Sequence, residues 1–224
     1  MKLENFEGYT YVDGGVCAAR GFVANGLNAG INPDKKKNDM CLVYSQEPCS
    51  AAGVYTQNKV KGAPVIVTRE NLKKSHGIAH AILANSKNAN TCNFDGIEIA
   101  EKACRLAADQ LGIKPEEVII GSTGVIGQRL SIQPFEDYMK PLVEGMTADG
   151  NDRAAYAIMT TDTVMKQVAV EFKIGDTVCR MGGMAKGSGM IHPNMATTLN
   201  FLTSDVAITP ELIQKALSDV VKVT

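Results

Sequence analysis

The stretch EIAEKACRLAADQLGIKPEEVIIGSTG, residues 98–124, combines a helix, a turn and an apolar strand in continuous order. Apolar residues recur along one face of its first half, and Gly112 follows as a C-terminal stop, which predicts a helix. Val118–Ile120 is an apolar run that predicts a buried strand. The strand leads into the small, hydroxyl-rich turn Gly121–Gly124, a common way to present backbone N–H groups to a ligand. The stretch therefore predicts a binding turn at the end of a buried strand.

The chain before this stretch predicts short strands joined by glycine turns. We expect strands over Met40–Ser45, Gly53–Thr56, Pro64–Thr68 and Ile78–Leu83, where apolar and β-prone residues cluster. The chain has 21 glycines in 224 residues, which is typical of a tightly turned α/β or β-rich enzyme.

The chain after this stretch predicts two helices and a hairpin. Asp152–Met159 predicts a short helix with Asn151 as its N-cap. Val168–Ile174 alternates apolar and polar residues and is followed by a two-residue turn, so it predicts a hairpin with Thr177–Met181. The N-cap, N1-proline and first-turn acid at Thr209–Glu211 predict a final helix.

Composition excludes several classes of function. Lys and Arg number 23 and Asp and Glu 24, so the net charge is −1 and there is no electrostatic footprint for nucleic acid or anionic lipid. Trp is absent and aromatic residues make up 5%, which disfavours stacking on bases. No run approaches the ~18 apolar residues of a membrane span. Met1–Glu7 contains two acids and no apolar run follows it, so we expect no secretory signal and a cytoplasmic protein.

The cysteines predict neither a metal centre nor a disulfide framework. None of the six lies in a C-x-x-C pair or has a histidine at metal-ligand spacing. We therefore expect reduced, mostly buried thiols and no metal.

Two further patterns are weak signals of function. The glycine-dense stretch Gly182–Gly189 matches neither a phosphate-binding loop nor a dinucleotide fingerprint, so a tightly turned loop is the simpler interpretation. His76, His80 and His192 are scattered and have no obvious carboxylate partner, so we expect loop or surface residues and no histidine base.

The Thr197 hydroxyl is activated as a nucleophile only if Thr197 is the N-terminal residue of a chain. An internal threonine is an inert hydroxyl, but an N-terminal threonine has its own α-amine as general base. That amine has a pKa near ~7.7–8.0 and can accept a proton around neutral pH.

Several blocks together resemble one family. They are Thr123–Gly127, Ala157–Thr163, Lys186–Ile191 and Pro193–Thr197, with Asn85–Asn90 as a further, less close match. In this order they are similar to blocks of the glutamate/ornithine N-acetyltransferases, the ArgJ family, and the resemblance covers essentially the whole chain.

The resemblance implies a self-cleaving precursor. The cut falls between Ala196 and Thr197, and the freed Thr197 becomes the nucleophile that accepts an acetyl group. Thr123 and Gly124 match the family's oxyanion pair.

The resemblance also implies the substrate contacts. Thr160, Lys186 and Thr197 match positions that contact the amino-acid substrate, so Lys186 would pair with a carboxylate. At Lys87 the family more often has glycine.

The implied fold is α/β, a layered αββα-type sandwich of the self-cleaving N-terminal-threonine enzymes. Residues 1–196 would form the α-chain domain, and residues 197–224 the start of a β chain whose remainder is absent. The β-prone run Val221–Thr224 has no closing element, which also indicates a fragment of a longer fold.

The implied activity is transfer of the acetyl group from N-acetylornithine to glutamate in cyclic arginine biosynthesis. No bound cofactor is needed, acetyl-CoA is a further candidate donor, and a heterotetramer of two α and two β chains is expected. Two alternatives stay open: an amidase or aminopeptidase with the same nucleophile, and a non-catalytic fragment or assembly subunit.

Overall fold

Two four-stranded β-sheets form the centre of the computed structural model, which describes residues 6–187 and 198–222. The strands are β1 (Tyr9–Val12), β2 (Phe22–Leu27), β3 (Met40–Ser50), β4 (Ile78–Asn85), β5 (Val118–Ser122), β6 (Lys166–Ile174), β7 (Thr177–Lys186) and β8 (Leu199–Ser204). The helices are α1 (Ala63–Lys74), α2 (Gly96–Leu111), α3 (Gln133–Glu144), α4 (Asn151–Ala157) and α5 (Pro210–Val220).

Sheet A has the strand order β1-β6-β7-β8, and every neighbouring pair is antiparallel. The turn between β6 and β7 contains Gly175 with φ +59°, a conformation that suits glycine. At the far end of β7, Lys186 pairs with Leu199, so the start of β8 lies beside the end of β7.

Sheet B has the strand order β2-β3-β4-β5, with β5 parallel to β4 and the other pairs antiparallel. The chain passes from β4 to β5 through α2, which is the crossover that a parallel pair needs. Asn85 and Ser122 are register partners at the end of these two strands. The segments that follow both strands therefore emerge at the same edge of the sheet.

Alternation along the strands gives sheet B two buried faces. The paired residues Leu42 and Leu83 pack into a core with α1, α2 and α3. The next pair along, Cys41 and Ala84, packs into a second core with Phe201 of sheet A. Helices, sheet B and sheet A thus stack in layers, which confirms the predicted α/β sandwich.

The elements with strong local signals form as predicted. The helix predicted for residues 98–111 is α2, and Gly112 caps it with φ +69°. The hairpin is β6–β7. Thr209 caps α5, since its hydroxyl accepts a hydrogen bond from the Leu212 N–H at 3.4 Å.

Other predictions about local structure are wrong. Pro64–Thr68 is not a strand but lies in α1, whose first turn tolerates proline and whose Val67 packs into the helical core. Gly53–Thr56 is irregular, not a strand. The short helix α4 begins at Asn151 with Gly150 as its N-cap, so Asn151 is not the cap. Elements β1, β2, β8 and α3 were not predicted.

Within residues 6–187 and 198–222, none of the helices has both the length and the apolar character needed to cross a bilayer.

Candidate functional site

The turn after β5 is tied to the segment after β4 by backbone hydrogen bonds. The Thr123 N–H donates to the Asn85 carbonyl at 3.0 Å, and the Val125 N–H donates to the Lys87 carbonyl at 3.0 Å. In the reverse direction, the Ala89 N–H donates to the Val125 carbonyl at 2.9 Å. The Thr123–Gly124 turn is therefore held against residues 85–89 as a small extension of sheet B.

Gly124 is the position in this turn where only glycine fits. Its φ is +132°, and a Cβ placed on it would lie 2.1 Å from the carbonyl carbon of Lys87 and 2.6 Å from the Asn88 nitrogen. Both obstacles are backbone atoms, so a side chain could enter only by moving the opposite segment. The close approach fixes the direction of the peptide groups around Gly124.

The buried side-chain amide of Asn85 holds the turn in place through hydrogen bonds. The side chain of Asn85 is 1% exposed. Its Oδ1 accepts a hydrogen bond from the Ser122 hydroxyl at 2.6 Å, and its Nδ2 donates to the Asn88 carbonyl at 2.9 Å. One amide thus connects the end of β5 to the segment after β4, as buried polar groups do when they are fully paired.

Lys186 ends β7 on the face of sheet A that points toward sheet B. It is 6% exposed and pairs in register with Leu199. The Thr198 hydroxyl donates to the Lys186 carbonyl at 3.3 Å. The residue directly after position 197 therefore lies beside Lys186.

Thr160 reaches the same region through Asp162. The N–H groups of Thr160 and Gly187 both donate to the Asp162 carboxylate, at 3.2 Å and 2.8 Å. Gly187 follows Lys186 in sequence, so the structure brings the Thr160 turn and the end of β7 together.

The two parts of the site meet across the sandwich. A Cβ placed on Gly121 of β5 would lie 2.8 Å from the Phe201 ring and 3.2 Å from Leu199 Cδ1. The end of β5 therefore faces the start of β8, and the Thr123–Gly124 turn emerges at the same end of the sandwich as Lys186 and Thr198. The predicted residues Ala196 and Thr197 lie outside the described residues.

The histidines and cysteines play no part in this arrangement where they are described. His80 contacts the Ser45 carbonyl through Nδ1 at 3.1 Å and stacks on Tyr44, and His76 lies in the turn before β4, whereas His192 lies outside the described residues. All six cysteines are free thiols. Burial raises the pKa of Cys41 to about 12 and that of Cys104 to about 12, so both are inert.

In the described part of the chain, no group of three or more His, Cys, Asp and Glu residues is arranged to hold a metal ion.

Two residues at the site carry a role that sequence reasoning did not assign. Asn85 and Asp162 both lie in blocks that the sequence singles out, but their carboxamide and carboxylate bonds depend on segments far away in sequence. The density of asparagine in Asn85–Asn90 was the one available signal.

Comparison with known proteins gives a consistent result. The profile of the ArgJ family matches residues 23–224. The "Arginine biosynthesis bifunctional protein ArgJ" of Gloeobacter violaceus is 46% identical over 205 residues, covering 91% of this chain and 50% of that protein. The protein of the same name from Symbiobacterium thermophilum is 45% identical over 93% of this chain and 52% of its own length. The chain thus spans about half the length of the curated relatives that it matches.

Two solved structures share the fold. The crystal structure of arginine biosynthesis bifunctional protein ArgJ from Bacillus halodurans superposes with a TM-score of 0.78 at 35% identity and covers 84% of this chain and 98% of its own. The structure of ornithine acetyltransferase complexed with ornithine from Mycobacterium tuberculosis gives a TM-score of 0.76 at 36% identity, with 85% and 100% coverage.

Proposed function

The chain belongs to the ArgJ family, and from this premise we propose that it carries the first part of the active site of an acetyltransferase. The reaction moves the acetyl group of N-acetylornithine to glutamate by way of an acetyl-threonine on Thr197. The observation that carries the proposal is the contact of Gly121 with Leu199 and Phe201. It joins the Thr123–Gly124 turn to the strand that follows Thr197.

Maturation is an intramolecular acyl shift. The Thr197 hydroxyl attacks the Ala196 carbonyl, the peptide C–N bond breaks, and an ester forms as the Thr197 nitrogen takes up a proton. Water then hydrolyses the ester, which leaves a carboxylate on Ala196 and a free amine and hydroxyl on Thr197. Residues 1–196 become the α chain, and Thr197 opens the β chain.

The share of each relative's length that the chain covers supports a cut near Ala196. The chain matches about half of the two curated relatives named above but 98% and 100% of the two solved chains. Each solved chain therefore has about the length expected for the α chain. This length agrees with a precursor that is cut near its middle.

Turnover uses the new terminus. The α-amine of Thr197 takes the hydroxyl proton while the hydroxyl attacks the acetyl carbonyl of N-acetylornithine. The Thr123 hydroxyl and the Gly124 N–H stabilise the oxyanion, a donation worth ~2.7–4 kcal/mol per donor in comparable sites. Ornithine leaves with the proton, glutamate enters, and its amine takes the acetyl group from the threonine ester.

Thr160 and Lys186 hold the amino-acid part of the substrate. The Lys186 ammonium is a compact cation that pairs with a carboxylate as a point charge. The chemistry requires no metal and no bound cofactor, and acetyl-CoA would act as a second acetyl donor. The active assembly is a heterotetramer of two α and two β chains.

Denaturing mass spectrometry tests the maturation step on the purified, natural-length protein that carries this chain. Wild type should show a break between Ala196 and Thr197, and Thr197→Ala should remain whole because alanine has no attacking hydroxyl. Thr198→Ala is the matched control, since it removes the neighbouring hydroxyl and should still be cleaved. Cleavage that persists in Thr197→Ala would contradict the proposal.

Product analysis tests the transfer step. With N-acetylornithine and glutamate, the proposal expects ornithine and N-acetylglutamate in equal amounts. Release of free acetate independent of glutamate would instead identify a hydrolase with the same nucleophile.

A further inference from the structure

Asp162 is a buried carboxylate in the turn between α4 and β6. Its side chain is 4% exposed. Oδ1 accepts hydrogen bonds from the Lys166 ammonium at 2.7 Å and from the Gly187 N–H at 2.8 Å. Oδ2 accepts from the Thr160 N–H at 3.2 Å. A buried carboxylate is costly unless it is paired in this way.

The three donors come from three different segments of the chain. Thr160 lies in the turn after α4, Lys166 begins β6, and Gly187 directly follows the last residue of β7. Of the two proposed substrate contacts, Thr160 is bound to Asp162 through its own N–H. Lys186 directly precedes Gly187, whose N–H is also bound to Asp162.

We infer that Asp162 is a positioning residue for the amino-acid substrate, because its carboxylate sets the separation between Thr160 and Lys186. This inference rests on the proposed function of that site. Asp162 itself contacts no substrate and acts through the two residues that it holds.

The bonding within sheet A explains why this role is separate from holding the strands together. Lys166 pairs with Ala185 in the β6–β7 ladder, and Lys186 pairs with Leu199 in the β7–β8 ladder. Strand β7 is therefore fixed on both sides without Asp162. The carboxylate adds the connection from this strand end to the Thr160 turn.

Close packing at Gly187 supports the same connection. A Cβ on Gly187 would lie 2.8 Å from Asp162 Oδ1 and 3.1 Å from Lys166 Cε. The Gly187 backbone therefore lies directly against the Asp162 carboxylate and the Lys166 side chain.

The chain offers a matched control in Asp205. Its side chain is 8% exposed, and it accepts hydrogen bonds from the Arg180 N–H at 2.7 Å and from Arg20 Nε at 2.8 Å. Like Asp162, Asp205 is a buried carboxylate that is bonded to backbone N–H groups and to one cationic side chain. Arg180 and Lys186 are six residues apart on β7, so Asp205 binds that strand about 20 Å from the site.

Steady-state kinetics on the natural-length protein test the inference with Asp162→Asn and Asp205→Asn. Asp162→Asn should raise the KM for N-acetylornithine or glutamate about tenfold or more, with a smaller change in kcat, because displaced contacts weaken substrate binding. Asp205→Asn should leave both parameters at wild-type values. Lys166→Met removes one donor at a half-exposed position and should raise KM in the same direction by a smaller factor.

The outcomes distinguish a failure of the Asp162 inference from a failure of the proposed function. Active wild-type enzyme with equal KM values for Asp162→Asn and Asp205→Asn overturns the inference and leaves the proposed function in place. Wild-type enzyme that transfers no acetyl group overturns the proposed function, and the inference with it. A raised KM in Asp162→Asn alone supports both.

Discussion

Substituting Gly124 by alanine perturbs the turn at the point where two segments approach most closely. The added Cβ would lie 2.1 Å from the Lys87 carbonyl carbon and 2.3 Å from its oxygen, at a φ of +132°. Backbone strain of this kind costs ~1–3 kcal/mol, and forcing an extra carbon into a packed site costs a further ~1–3 kcal/mol. We therefore expect the free energy of unfolding to fall by about 2–6 kcal/mol, a large part of the typical ~5–15 kcal/mol.

Thermal unfolding followed by circular dichroism measures this change. For a chain of this size, each kcal/mol shifts Tm by ~2–4 °C, so Gly124→Ala should lower Tm by roughly 4–24 °C. Gly127→Ala is the control, because Gly127 also has a positive φ, +75°, but no heavy atom lies within 4 Å of its added Cβ. Its cost is limited to ~1–2 kcal/mol of backbone strain. Equal Tm values for the two variants would refute the packing argument.

Three further predictions concern Lys87, Asp205 and Thr123. Lys87 has φ +73°, so Lys87→Gly removes ~1–2 kcal/mol of backbone strain from the folded state. Glycine also raises the entropy of the unfolded chain, which lowers stability by ~0.4–1 kcal/mol. Urea unfolding should therefore show equal or higher stability, and clear destabilisation would contradict this. Burial alone would raise the pKa of Asp205, but its bonds from Arg180 and Arg20 outweigh burial and lower the pKa below its ordinary value of 3.8. The stability that Asp205 contributes is thus complete above that value and lost as pH falls below it; Asp205→Asn should flatten the fall in Tm on acidification, and an unchanged pH profile would count against the pairing. Thr123→Ala should lower kcat ~100-fold or more in the natural-length protein with little change in KM; reduced stability with normal turnover would mean that Thr123 only caps the strand.

The sequence predicted best the elements whose signals are local. Helix α2 and its Gly112 cap depend on residues within one turn of each other, and the β6–β7 hairpin depends on alternation across one short turn. At Pro64–Thr68, local preference was misleading: the β-branched residues suggest a strand, but burial of Val67 against the helical core decides for α1.

The site was predictable in part. The Thr123–Gly124 turn was found because a strand and its hydroxyl-rich end are adjacent in the sequence. The roles of Asn85 and Asp162 were not, because their partners are set by register and layering: Ser122 lies 37 positions from Asn85, and Gly187 lies 25 positions from Asp162. Sequence periodicity carries no information on such pairs.

Trapping of the acetylated enzyme tests most directly the claim that this fold presents Thr197 as the acetyl-accepting nucleophile. The cleaved, natural-length protein is incubated with N-acetylornithine in the absence of glutamate, denatured, digested and analysed by tandem mass spectrometry. The expected result is one acetyl group on the side chain of Thr197, which is lost again when glutamate is added before denaturation. An acetyl group on any other residue, or ornithine formation without acetylated Thr197, would contradict it.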